Sequence, residues 1–455
     1  MCAAILSRVE AGRGPHGVED WTDDRTVVVV TVCDTRIDAD FVASGNFTSR
    51  VSNASRLLLE GGVTGNATWR KTGAGTLRFA GTAANSQSSV NVEAGELEFD
   101  KPSGVDAISK ALQIGDGTND VRVTLLSEHQ IADSASVTIR NRARLDLNGN
   151  AEAIDRLQGE GTVSLDARFV PGRFARLTVN NGSFSGAIVG DGGLTKAGSS
   201  FSSLSLSGPN TFSGMTIVSA GTLSVEGTQV NSPIRLNGGI LRGRGNVGTI
   251  TGNSGGILQP GSGGADYQVA LHSLGIALNP STTFRALLTS GDPGYENHQL
   301  QVNGAVNLGG SILSVDLNGS FKPTNGVSFL IIDNDGTDAI VGTFAGLPEG
   351  AVFGGDGLPF QITYVGGTGN DVVLTRVGTP ASTLSSVTKL SNGQVRIEGL
   401  GIGGVIYPIQ AASNLNPIIQ WTQVGNGTGN ANGVFQYLDT GASNRPMRFF
   451  RAVSP

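Results

Sequence analysis

Apolar and polar residues alternate over short stretches of this chain, and many of these stretches end at glycine. In the segment Thr76-Leu-Arg-Phe-Ala-Gly81 the apolar positions are Leu77 and Phe79, and the same pair recurs at Leu97 and Phe99. Residues two apart in a β-strand lie on the same face of the strand. The pattern therefore predicts short strands that each place two apolar side chains in a core.

A second set of apolar positions repeats at a similar interval. Leucines occur at Leu204, Leu223, Leu241 and Leu258, which are steps of 19, 18 and 17 residues. A nearly fixed period is typical of stacked, quasi-one-dimensional architectures. Stacked strands would align these leucines in columns inside a parallel β-solenoid of about ten turns, with glycine supplying the positive φ angles at the corners.

Composition agrees with an all-β chain. Glycine supplies 68 of 455 residues, and charged residues make up only 15%, against about a quarter in typical globular domains. Only Val105–Gln113 and Ala151–Gln158 have a spacing that suits short helices. The net charge is −6 without a basic stripe, which argues against a nucleic-acid partner because such binding needs clustered Lys and Arg.

One phrase occurs twice and carries a family resemblance. The first copy begins at Trp69-Arg-Lys-Thr-Gly73 and closes with Glu93-Ala-Gly-Glu-Leu97; the second begins at Leu194-Thr-Lys-Ala-Gly198 and closes with Ser219-Ala-Gly-Thr-Leu223. Together with the intervening strand at Leu204-Ser-Leu-Ser-Gly208, these segments resemble the autotransporter-associated β-strand repeat. The resemblance covers roughly residues 61–262.

The resemblance implies a right-handed parallel β-helix, as in the passenger regions of autotransporters and in large exported bacterial proteins. It also implies a secreted or cell-surface location, although Met1–Arg8 does not read as a signal peptide. The segment Val27–Val32 is too short to span a bilayer. The residues up to Pro455 show no run of amphipathic strands that would build a translocator barrel, so we expect a passenger without its pore.

The pattern divides the chain into four segments. We expect a poorly specified lead-in at 1–40, the β-helix at 41–265, a β-sandwich-like domain at 266–377 and a small C-terminal β-sandwich module at 378–455. Alternating strands bury one face, so the expected core of the last module comprises Trp421, Phe435, Tyr437 and Phe449. The two cysteines, Cys2 and Cys33, would form at most one disulfide bridge.

Acidic turns give the clearest chemical signal. Gly366-Gly-Thr-Gly-Asn-Asp-Val-Val-Leu374 matches one unit of the calcium-binding nonapeptide, and its acidic residue is Asp371. The segment Asp333-Asn-Asp-Gly-Thr-Asp338 offers the further oxygen ligands Asp333, Asp335 and Asp338, but it lacks the glutamate of an EF-hand. Asp and Asn are common in turns because they hydrogen-bond the local backbone. We expect no cofactor, with calcium at these four residues as the alternative.

Candidate catalytic motifs lack the context that they need. Gly252-Asn-Ser-Gly-Gly256 spells a nucleophile elbow, but a further strand rather than a helix is expected after it. Asp146, Asp155 and Asp166 lie at unequal spacings, and Arg140, Arg142 and Arg144 alternate as on a solvated strand face.

We therefore expect a non-catalytic, monomeric structural or adhesive protein with a β-helix stalk. Its partners would be cell-surface glycans or proteins. The alternative is a polysaccharide-acting β-helix enzyme or a carbohydrate-binding protein. Such an enzyme would need a groove with clustered carboxylates on adjacent turns.

Overall fold

The computed structural model describes residues 4–7, 12–13, 19–21, 26–30, 34–38, 40–43, 45–166, 174–261, 270–289, 298–378, 382–416 and 418–453. The regular structure of these residues is β-strand, with one 3-10 helix at Thr440–Asn444 and no α-helix among them. The predicted all-β class is confirmed. Cys2, Cys33 and residues 379–381 of the expected linker lie outside the described residues.

The chain divides into two compact units. The first comprises residues 1–258 and 271–275, and the second comprises residues 259–270 and 276–455. The strands up to residue 260 are, in chain order, β1 (Ala4–Ser7), β2 (Gly12–Arg13), β3 (Glu19–Trp21), β4 (Thr26–Val30), β5 (Thr35–Ile37), β6 (Phe41–Ala43), β7 (Phe47–Val51), β8 (Arg56–Leu59), β9 (Val63–Gly65), β10 (Thr68–Thr72), β11 (Thr76–Phe79), β12 (Ser89–Val92), β13 (Gly95–Phe99), β14 (Ala111–Ile114), β15 (Val121–Leu125), β16 (Ser136–Ile139), β17 (Ala143–Asp146), β18 (Ala151–Gly159), β19 (Thr162–Ser164), β20 (Arg176–Phe184), β21 (Ala187–Val189), β22 (Gly193–Lys196), β23 (Ser203–Leu206), β24 (Thr216–Val218), β25 (Thr222–Val225), β26 (Thr228–Gln229), β27 (Ile234–Leu236), β28 (Ile240–Gly243), β29 (Asn246–Val247), β30 (Ile250–Gly252) and β31 (Ile257–Pro260).

Parallel strands of the first unit form three faces of a β-solenoid. Face 1 comprises β7, β10, β12, β14, β16, the second halves of β18 and β20, and then β23, β25 and β28. Face 2 comprises β5, β8, β11, β13, β15, β17, β19 and β21. Face 3 comprises the first halves of β18 and β20, followed by β22, β24, β27 and β30. The chain visits the faces in turn, so the predicted parallel β-helix is confirmed.

The predicted apolar columns lie in the core of the solenoid. Leu77 lies opposite Leu97 in the parallel register, and Leu223 lies opposite both Leu204 and Leu241. The side chains predicted to point inward are at most 1% exposed; they are Leu77, Phe79, Leu97, Leu204, Leu223, Leu241 and Leu258. Each column therefore stacks equivalent side chains from successive turns and excludes water from between the faces.

Neither segment with helical spacing forms a helix. Ala151–Gly159 is strand β18, and strand β14 (Ala111–Ile114) begins within the other segment. Glu152, Ile154 and Leu157 of β18 are buried, and parallel strands pair with it on both sides. The helix expectation was wrong because pairing with neighbouring turns outweighs a weak local preference.

The strands beyond residue 269 are β32 (Ala270–Ser273), β33 (Ile276–Ala277), β34 (Thr283–Leu288), β35 (Gln299–Val302), β36 (Val306–Asn307), β37 (Ile312–Leu317), β38 (Ser328–Asn334), β39 (Val352–Gly355), β40 (Leu358–Gly366), β41 (Asp371–Arg376), β42 (Thr383–Lys389), β43 (Val395–Leu400), β44 (Ile406–Ala412), β45 (Thr422–Thr428), β46 (Val434–Asp439) and β47 (Phe449–Ala452). In the second unit, β33–β36, β34–β37 and β35–β38 are parallel pairs. Antiparallel pairs of β38, β39, β40 and β41 follow. The boundaries of the expected four segments stay a prediction.

The last residues form two three-stranded antiparallel sheets, β42-β43-β46 and β45-β44-β47. Their core contains Phe435 as expected, but its second ring is Tyr407, stacked at 4.9 Å between ring centroids. Phe450, not Phe449, packs against this core because the register places it opposite Ala411. Tyr437 packs at the margin, whereas Trp421 lies under the guanidinium of Arg451 at 4.5 Å. The expected core role of Trp421 and Phe449 was wrong.

Candidate functional site

A groove of about 830 Å³ lies along the corner between faces 1 and 2. Six successive turns of the solenoid contribute to it, through Asp34, residues 53–56, 74–76, 94–96 and 119–122, and Arg142 with Arg144. Its floor consists of the small residues Ala54, Ala74, Gly75, Ala94 and Gly95. The groove thus exists because the corners of three consecutive turns carry almost no side chain.

Backbone geometry explains why these corners stay small. Gly95 has φ +72°, and a Cβ atom there would lie 2.6 Å from the carbonyl oxygens of Gly73 and Gly75. A side chain at this position would therefore collide with the backbone of the preceding turn. The Ala-Gly of the repeated phrase consequently defines the depth of the groove.

A longer loop contributes Asn119 and Asp120 to the lining of the groove. Residues 115–120 connect β14 to β15, and Asp116 organises this loop by accepting hydrogen bonds from the backbone N–H groups of Thr118 (2.8 Å) and Asn119 (3.1 Å). These hydrogen bonds hold the pKa of the Asp116 carboxyl well below its usual range. The acidic loop acts here as a self-capped turn.

One wall of the groove is a column of polar side chains in register on face 2. From turn to turn the column reads Arg56, Thr76, Glu96, Arg122 and Arg144. Neighbouring strands of a sheet are about 4.8 Å apart, so the groove offers one polar group at about that interval.

The charges of the groove are unevenly distributed. Arg122, Arg142 and Arg144 lie at one end, and the lining carboxylate there is Asp120, 3.1 Å from Arg142 Nε. Glu96 lies in the middle, exposed, with the hydroxyl of Thr76 at 3.4 Å. The arginine end is therefore rich in guanidinium donors, each with a carboxylate partner, while the middle of the groove accepts hydrogen bonds.

A buried lysine supports the floor of the groove. The Lys71 Nζ atom donates hydrogen bonds to the carbonyl oxygens of Gly73 (2.7 Å) and Ala94 (2.6 Å), and the side chain is fully buried. Burial lowers the pKa of Lys71 to about 8, although the nearby charge of Glu96 opposes this shift. Sequence reasoning missed this role because lysine is rarely fully buried.

The second copy of the phrase holds an equivalent lysine. Lys196 is also fully buried, and its Nζ atom donates to the carbonyls of Ala197 (2.5 Å) and Ala220 (3.0 Å) and to Ser202 Oγ (2.8 Å). Burial lowers its pKa to about 8. A lysine two residues before a glycine in both copies, Lys71-Thr-Gly73 and Lys196-Ala-Gly198, was the sequence signal for this role.

The carboxylates considered for catalysis are dispersed. Asp146 is buried and ion-paired with Arg122, and Asp166 lies 3.5 Å from Arg144. Asp155 belongs to β18 and accepts a hydrogen bond from Asn181 at 3.0 Å. The structure therefore places arginines between the acidic groups of face 2.

The candidate calcium ligands lie on two turns that hold each other. Asp371 is buried; its Oδ1 atom accepts from Asn334 N (2.9 Å) and its Oδ2 atom from Thr368 N (2.7 Å). Asp335 and Asp338 are exposed, and Asp333 belongs to β38. Calcium at these residues stays a prediction.

The part of the chain that the structure describes holds no helix of the length and apolar character needed to cross a membrane.

Comparisons with known proteins find a family match at the two copies of the phrase. The family model of the passenger-associated-transport-repeat matches residues 70–99 and 194–225, which are the two copies of the phrase. An extracellular serine protease of Serratia marcescens is 40% identical over 81 residues, which are 18% of this chain and 8% of the protease. The Haemophilus influenzae Hap adhesin is a structural neighbour with a TM-score of 0.30 and 9% identity, over 79% of this chain and 57% of that one.

These features define a parallel β-helix that contains two passenger-associated-transport repeats. More particularly, the chain is autotransporter passenger-like in these repeats.

The same comparison corrects one expectation. We expected a chain that is not an enzyme, and the similarity to an extracellular serine protease contradicts that expectation. The expectation rested on a search of this one sequence for catalytic motifs. Such a search cannot detect that a segment of the chain is similar to part of a protease.

Proposed function

We propose that this chain is exported, to the cell surface or the medium, and that its solenoid binds extended polysaccharides in the groove between faces 1 and 2. The observation that carries the proposal is the column of polar groups at one residue per turn above a floor of Ala and Gly. The repeat supports export, because it is associated with passengers.

The geometry of the groove suits a chain of sugar rings. Its polar interval of about 4.8 Å is close to the length of one pyranose unit in an extended glycan. The flat floor at Ala74 and Ala94 leaves room for the rings, and Thr76, Glu96 and the arginines provide donors and acceptors for hydroxyl groups. Several successive sugars would thus make equivalent contacts.

Filling the floor tests this proposal. Ala74 is exposed in the groove, so Ala74→Trp should block it without changing the core. We would measure retardation of the purified protein in gels that contain neutral or acidic polysaccharides. The matched control is Ser200→Trp, which places the same ring on an exposed corner of the second copy. Retardation that Ala74→Trp abolishes and Ser200→Trp keeps supports the proposal; no retardation by any polysaccharide contradicts it.

A second candidate function is a part in extracellular proteolysis, which the 81-residue similarity to a serine protease supports. The test incubates the full chain with casein, with and without a covalent serine-protease inhibitor. Inhibitor-sensitive cleavage would support this candidate, and intact casein at high protein concentration would count against it. Groove filling at Ala74 should leave such cleavage unchanged, which separates the two functions.

A further inference from the structure

We infer that the polysaccharide in this groove is acidic and that its anionic group lies at the end formed by Arg122, Arg142 and Arg144. The inference rests on the proposed function and adds the class of ligand. The shared chemistry is an oxyanion, carboxylate or sulfate, that accepts charge-assisted hydrogen bonds from guanidinium groups.

Like charges face each other at this end. Arg122 and Arg144 are directly opposite in the parallel register of β15 and β17, and Arg142 lies on the adjoining corner. Like charges directly opposite each other in a sheet are destabilising. Asp146 and Asp166 already offset part of that repulsion by pairing with Arg122 and Arg144. An oxyanion between these guanidinium groups would offset more of it and bind several donors together.

The existing ion pairs leave donor capacity for a ligand. The Arg142–Asp120 pair is exposed on both sides, at 54% and 82%, and exposed pairs of this kind contribute little to stability. Arg144 contacts both Asp166 (3.5 Å) and Ser164 Oγ through its Nη2 atom, so its Nη1 group can donate to a ligand. Opening or sharing these contacts would therefore cost little.

The middle of the groove has the opposite preference. The Glu96 carboxylate accepts hydrogen bonds from hydroxyl groups and repels anions, and the Thr76 hydroxyl lies beside it. A ligand that carries its anionic group at the arginine end and hydroxyls in the middle matches both parts. This arrangement predicts opposite effects for substitutions at the two places.

The experiment compares ligands of matched backbone and different charge. Calorimetry would measure the binding of dextran, dextran sulfate and carboxymethyl-dextran, so that a neutral, a sulfated and a carboxylated chain of the same backbone are compared. We expect both acidic chains to bind more tightly than dextran, with an affinity that falls as salt screens the charges. The tighter of the two acidic chains identifies the oxyanion.

Variants then locate the anionic group. The double variant Arg142→Asn/Arg144→Gln should lower the affinity for the acidic chain about tenfold or more, because each charge-assisted hydrogen bond contributes strongly. Asn suits position 142 because its backbone φ is +63°. Glu96→Gln should keep or raise that affinity. The double variant Arg176→Gln/Lys389→Gln, at two exposed positions outside the groove, is the charge-matched control.

Two results would overturn the inference. One is dextran that binds as tightly as its sulfated form, which leaves the proposed function standing with a neutral ligand. The other is an arginine double variant with an unchanged melting temperature that binds the acidic chain as the parent does. If none of the three chains binds, both the inference and the polysaccharide function fail.

Discussion

The two copies of the repeat share a phrase but occupy different faces of the same solenoid. In the first copy, the lysine strand β10 lies on face 1 and the closing strand β13 lies on face 2. In the second copy, the lysine strand β22 lies on face 3 and the closing strand β25 lies on face 1. The phrase therefore specifies a strand, a corner and another strand, and not a fixed place in the turn.

The copies also differ outside the core. The outer side of the first copy carries paired charges, such as Arg78 with Glu98 at 2.7 Å, and its corner forms the groove. The corner of the second copy extends into the turn at residues 199–201, where Phe201 is 97% exposed. The comparison teaches that the buried lysine and the glycine corner are common to both copies, whereas the surface chemistry is specific to each.

The largest expected effect tests whether the apolar column that contains Leu97 and the one that contains Leu223 are equally important for stability. Leu97→Asp and Leu223→Asp each bury an unpaired charge in the core, so each should lower the free energy of unfolding by about 4 kcal/mol or more. Urea unfolding followed by circular dichroism measures this free energy. In the controls Leu97→Ala and Leu223→Ala the free energy of unfolding should fall by about 3 kcal/mol. A normal stability in one aspartate variant would break the equivalence of the columns.

The next effect concerns the shared glycine corner. A Cβ at Gly95 meets two carbonyl oxygens, and one at Gly221 would lie 2.5 Å from the Lys196 Nζ atom; their φ angles are +72° and +65°. We expect Gly95→Ala and Gly221→Ala to lower the free energy of unfolding by about 3 kcal/mol, from strain and from collision together.

Gly104→Ala separates these two causes. Gly104 has φ +78° but no atom within 4 Å of its Cβ position, so only the strain of a left-handed backbone, about 1 kcal/mol, should appear. Equal losses in all three alanine variants would show that collision at the corners contributes nothing.

The buried lysines predict an effect of intermediate size. Lys71→Met and Lys196→Met leave corner carbonyls without their donor, which should lower the free energy of unfolding by about 2 kcal/mol in each copy. Lys389→Met, at an exposed position, should change it by less than about 0.5 kcal/mol. A loss of stability in only one of the two variants would show that the hydrogen bonds from lysine to the corner carbonyls are not a shared feature of the repeat.

The same lysines predict a pH dependence. Their folded-state pKa is lowered from 10.5 to about 8, so between these values the unfolded chain binds more protons than the folded one. Stability should therefore rise with pH across this window, and Lys101, with a pKa also lowered to about 8, contributes in the same direction. Thermal melts at pH 8, 9 and 10 should show a smaller rise in Lys71→Met than in the parent chain; an unchanged rise would contradict the assignment.

The alternation of apolar residues was sufficient to predict the strands and the buried columns. It could not assign the face, because Leu97 and Leu223 occupy equivalent places in the phrase but lie on faces 2 and 1. The groove was not predicted either. Arg56, Glu96 and Arg144 lie in one column only because turns of unequal length pair in register, and the sequence does not show that register. The reassignment from Phe449 to Phe450 shows that a shift of one residue decides which ring enters a core.

The smallest expected effect sharpens the comparison at the corner of the second copy. At this corner Ser202 N donates to Ser199 O at 3.0 Å, and Ser202 Oγ accepts from Lys196 Nζ at 2.8 Å. Ser202→Ala should therefore cost about 1 kcal/mol, whereas Phe201→Ser should change the free energy of unfolding by less than about 0.5 kcal/mol because the ring is exposed. Phe201→Ser should also elute earlier from a hydrophobic-interaction column, since an exposed aromatic ring is removed. If Phe201→Ser destabilised the chain more than Ser202→Ala, the ring rather than the hydrogen-bonded serine would hold the corner.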